Sequence, residues 1–81
     1  MADNLDRLRA AFVEALGLGA APADFESLTY RGIREWDSVA HMQLIAAIEA
    51  TFELMLDTDD VIAMSSYAKA REIVAKHGVV L

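Results

Sequence analysis

From Ser38 to Thr51 the chain has neither glycine nor proline, and Glu49 is its only fully charged residue. At 100° per residue, His41, Leu44, Ile45, Ile48 and Phe52 fall on one side, which is assigned to a core. Val39, Met42 and Ala46 fall on another side, bordered by Gln43 and Ala50. The pattern predicts a helix that is apolar nearly all round, so its second face must be covered by other helices or by a partner. At 81 residues the chain is read as one domain, 1–81, near the lower limit for a core that holds without staples. Three or four helices have difficulty burying both faces. Glu49 also interrupts the longest apolar run, leaving none of transmembrane length.

The flanking segments complete an all-helical reading. Leu5, Leu8, Phe12 and Ala15 recur at one-face spacing and predict a first helix from Asn4 to Leu16, capped by Asp3 or Asn4. Gly17, with Gly19 behind it, supplies the stop, and Pro22 blocks resumption. The connection from Gly17 to Trp36 has no sustained period, though Phe25, Leu28, Tyr30 and Ile33 are expected over the core. Loops of that length are uncommon in so small a domain and point to function or to a short embedded turn. The second helix takes Asp37 as its cap. Asp57 to Asp60, followed by Val61, Ile62 and Met64, predicts a short third helix with an acidic start. A last helix begins after Ser65 or Ser66 and runs through Lys76. Tyr67, Ala70, Ile73 and Val74 form its inner face, and Gly78 ends it.

Charge and composition exclude several partner classes. Thirteen acidic against seven basic residues give a net charge of −6, which disfavours phosphate-backbone binding and adsorption to anionic membranes. There is no cysteine, so disulfides and thiolate metal sites are excluded. The start of the chain, with Asp3 and Asp6, lacks the basic-then-apolar pattern of a secretory signal, so a cytoplasmic location is the default expectation.

The pair Asp37-Ser38 opens the apolar helix. Its commonest use is as an ordinary N-cap. A serine there also lies beside the unsatisfied N–H groups of the helix start, where partial positive charge favours a phosphate ester. His41, three residues on, raises a nucleophilic reading. That reading lacks a third group and an oxyanion hole, and Trp36 and Ala40 stand where a Gly-x-Ser-x-Gly elbow needs glycines. His41 is better read as a partly buried packing residue. A calcium loop starting at Asp57 also fails, with Val61, Ile62 and Ala68 at the positions that need a ligand, a glycine and a glutamate. His77 near a helix C-terminus suits the dipole and needs no metal.

Asp37-Ser38-Val39, then Leu44-Ile45, Ile48-Glu49 and Phe52, and downstream Leu56, Asp57 to Asp60, Met64 with Ser65-Ser66, and Ile73-Val74, together resemble acyl carrier proteins. The likeness covers Trp36 to Val74. It implies a four-helix bundle with a short third helix and a long loop between the first two. It further implies a covalent 4′-phosphopantetheine arm on Ser38, and a monomer that catalyses nothing itself. The implied partners are a phosphopantetheinyl transferase and the enzymes that load and modify acyl groups held on the arm as thioesters. The partner-facing set is Asp37, Val39, Met42, Gln43, Ala46 and Met64. Fatty-acid carriers usually present carboxylates along the second helix. Here Ala40, Gln43 and Ala50 occupy the equivalent outward positions, which weakens steering toward basic enzymes. A specialised biosynthetic pathway is therefore expected. Trp36 reads first as a residue that packs the loop onto the bundle; Trp-Asp-Ser also resembles a subgroup of stand-alone carriers. Two alternatives stay open: an aminoacyl or peptidyl carrier, and an acidic interaction module in which Ser38 is only a cap.

Overall fold

The computed structural model describes residues 3–81; the first two residues of the expected domain lie outside it. Four α-helices occur among the described residues: α1 (Asn4–Leu16), α2 (Ser38–Phe52), α3 (Thr58–Ala63) and α4 (Tyr67–Lys76). Among the described residues the fold is all-α, and no helix there is long and apolar enough to cross a membrane.

Local chemistry sets each boundary. Asp3 accepts the Asp6 N–H at 2.8 Å and opens α1. Gly17, left-handed at φ 63°, closes it with its N–H on Glu14 O, while the Leu18 N–H reaches Val13 O. That is the double return a left-handed terminal residue permits. Asp37 caps α2, Asp57 caps α3 and Ser66 caps α4, each accepting the N–H three residues on. Of the two serines expected to start α4, Ser66 is therefore the one that does.

α1 packs along α2, and a single core joins Leu8, Phe12 and Leu16 to Leu44, Ile45 and Ile48 and to Tyr67, Ala70, Ile73 and Val74. Three aromatic rings set its centre. Phe12 stands edge-on to Trp36 at 5.4 Å and to Tyr67 at 5.2 Å, a favoured geometry for ring quadrupoles.

The long connection is more ordered than its sequence suggests. It holds one 3₁₀ turn, Phe25–Ser27, with Phe25 and Leu28 in the core and Tyr30 and Ile33 at its edge. Thr29 forms an isolated antiparallel bridge with Ser66. The Tyr30 N–H donates to Ser65 O and the Tyr67 N–H to Leu28 O, so the loop is fastened to the start of α4.

Two expectations about outward positions are corrected. Met64, expected to face partners, is the residue ending α3 and is fully buried. Once the short α3 stops, its thioether folds into the core instead of continuing along an exposed face. Ala40, expected to point outward, is buried in the first turn of α2 and belongs to the core cluster.

Candidate functional site

The approach to α2 is built by a closed turn. The Arg31 N–H donates to Trp36 O at 2.9 Å, and the Trp36 N–H to Ile33 O. Arg31 itself is left-handed at φ 62°, a conformation sparsely populated by residues with a side chain. Gly32 is required by space. A Cβ there would meet Thr29 Oγ1 at 2.1 Å, and its N–H already donates to Thr29 O.

The turn inserts Trp36 into the core with no exposed surface and leaves Asp37 and Ser38 outside. The indole Nε1–H donates to His41 Nδ1 at 2.9 Å, and His41 Nε2 lies 2.9 Å from the Val61 carbonyl. An indole nitrogen only donates, so Nδ1 accepts and the imidazole proton rides on Nε2 toward Val61 O. One half-buried ring thus joins the loop, α2 and α3. Both its nitrogens are engaged away from Ser38.

Asp37 and Ser38 have separate roles. The Asp37 carboxylate accepts the Ala40 N–H at 2.9 Å, and its carbonyl accepts the His41 N–H at 2.8 Å. Ser38 is exposed, is the first residue of α2, and makes no side-chain hydrogen bond among the described residues. Its hydroxyl is therefore not the cap; Asp37 caps α2, as the sequence pattern placed it.

The remaining sequence-predicted positions extend down α2 from this serine. Ser38, Val39, Met42, Gln43 and Ala46 line one shallow, mainly apolar depression of about 480 Å³. Val39 is 67% exposed and Met42 57%. Met64 does not join them. A smaller cleft of about 270 Å³ lies on the other side of α2, between Tyr30, His41, Val61 and Ile62.

Asp60 is the polar residue that the sequence reading passed over. It is 2% exposed, and its carboxylate is held by Lys76 Nζ and by His77 Nε2 at 2.8 Å. The lysine and then the histidine hold its pKa down to about 2, against the opposing cost of burial. Its spacing of 16 and 17 residues from these partners left no local signal. His77 is thus the far end of a clamp from α4 to α3.

An unbonded, exposed alcohol at a helix start with an apolar trough beside it is a placement that fits a phosphate ester on a flexible chain. No family model, curated protein or solved structure matches this chain.

Proposed function

We propose that the protein is an acyl carrier, with the arrangement of an acyl-carrier four-helix bundle, and that Ser38 Oγ holds a 4′-phosphopantetheine arm. The observation that carries this reading is the division of labour at the start of α2. Asp37 does the capping, which leaves the neighbouring hydroxyl exposed and unbonded where backbone N–H groups favour a phosphate ester. The arm supplies a terminal thiol that carries acyl or related groups as thioesters. The chain's own residues anchor the phosphate, present the arm to solvent and offer Val39, Met42, Gln43 and Ala46 to the enzymes that load and modify the cargo. A phosphopantetheinyl transferase is the first such partner, and a specialised biosynthetic pathway in the cytoplasm, with the carrier as a monomer, is the proposed setting. The chain performs no reaction of its own in this scheme.

Intact mass after incubation with coenzyme A and a broad-specificity phosphopantetheinyl transferase tests the proposal. One added phosphopantetheine on the native chain, absent from Ser38→Ala, is the expected result. No mass gain on the native chain overturns it. The interaction-module alternative draws on the same exposed strip, Val39 and Met42, and predicts binding that survives Ser38→Ala.

A further inference from the structure

The face around Ser38 differs in charge from the rest of this acidic molecule. Glu49, the only carboxylate of α2, is turned onto the Leu56 N–H at 2.9 Å, closing the turn that follows the helix. Asp37 is turned onto the Ala40 N–H. Asp57, the cap of α3, and Asp59 in its first turn are exposed, while Asp60 is buried against Lys76 and His77. The exposed strip of α2 is left without a free carboxylate. Immediately before it, Arg31, Ile33, Arg34, Trp36 and Asp37 line a cleft of about 330 Å³. Asp37 of this cleft and Ser38 of the Val39–Met42 depression are consecutive residues of the chain, both exposed. The Arg31 guanidinium donates to the Tyr30 hydroxyl and lies over the Tyr30 ring, with the Asp37 carboxylate in its field, and neither Arg31 nor Arg34 makes an ion pair among the described residues. By contrast, Arg71, Lys69 and Lys76 are each paired with a carboxylate. Glu35, between the arginines and Trp36, is exposed but does not line the cleft.

We infer that Arg31 and Arg34, with Val39 and Met42, form a docking face for a protein partner whose apolar ridge is flanked by carboxylates. The inference deepens the carrier reading by naming the chemistry of the enzymes that approach Ser38. It opposes what the whole molecule would select, because a net charge of −6 draws basic partners at long range. Local complementarity then discriminates at contact, within a screening length.

Two synthetic amphipathic helical peptides with the same leucine face, one flanked by glutamates and one by lysines, separate local from global charge. The ¹⁵N-labelled native chain is titrated with each at low salt. The glutamate peptide should shift the amides of Arg31, Arg34, Val39 and Met42 and bind about fivefold more tightly, as two modest exposed ion pairs allow. The preference should vanish in Arg31→Gln/Arg34→Gln. Because Arg31 occupies a left-handed position, Arg34→Gln alone is measured too and should remove about half of the preference in free-energy terms. Equal or tighter binding of the lysine peptide overturns the inference, as does binding of neither, or a preference that survives both variants. The peptides need no arm on Ser38, so the loading assay can fail while this result stands, and the reverse.

Discussion

Asp37 accepts the Ala40 N–H while Ser38 keeps a free hydroxyl, so substitutions at these adjacent residues should have opposite profiles. Asp37→Ala should cost about 1 kcal/mol, the usual loss for an N-cap, measured by urea unfolding. Ser38→Ala should stay within about 0.5 kcal/mol of the native chain, as for surface changes away from special features, yet gain no mass with coenzyme A and transferase. A Ser38→Ala cost equal to that of Asp37→Ala would return the serine to a structural role. Trp36 behaves differently again. Trp36→Ala empties a core position and should cost about 3–5 kcal/mol. Trp36→Phe keeps an aromatic ring but deprives His41 Nδ1 of its donor, and should cost about 1 kcal/mol from the hydrogen bond together with some lost packing.

At the scale of elements, α3 is the weak member. Six residues cannot hold a helix in isolation, so it depends on Asp57 at its start, on the Val61 carbonyl meeting His41, and on Asp60 gripping Lys76 and His77. The Asp60 pKa is lowered from 3.8 to about 2. The folded state therefore binds this proton less readily than the unfolded one. The resulting stabilisation is complete above the ordinary carboxylate range and is lost as pH falls from about 4 to about 2. Circular dichroism against pH should show an acid limb in that window which is flattened in Asp60→Asn. An unchanged limb would assign acid sensitivity to other carboxylates.

The same element shows what the sequence displayed and what it hid. The four helices were legible because caps and apolar periods are local: Asp3, Asp37, Asp57 and Gly17 act within four residues of themselves. The Asp60 clamp, the burial of Met64 and the proton-locked His41 were not, because each depends on a group 16 or more residues away or on a short helix stopping. Ser38 was legible as a candidate and Asp37 as the cap, but that the serine hydroxyl makes no hydrogen bond of its own among the described residues became visible only in the geometry.

At the scale of the molecule, one core receives side chains from α1, the long connection, α2 and α4, and Trp36 lies within it as the sole indole. Indole fluorescence and far-ultraviolet circular dichroism should therefore report one coincident unfolding transition in urea. Separated midpoints would mean that the loop and its tryptophan leave the core before the helices melt.

The stitching of Leu28 and Tyr30 to Ser65 and Tyr67 divides the first connection into a hinge-free half and a spare half. A tag or a neighbouring module spliced between Gly19 and Ala23, where the backbone is not tied to α4, should leave the serine's surroundings intact, since tolerated insertions concentrate at such exposed stretches. The same graft placed between Thr29 and Trp36 would pull apart the knot that aims the start of α2. For anyone building fusions, that boundary is the one to respect.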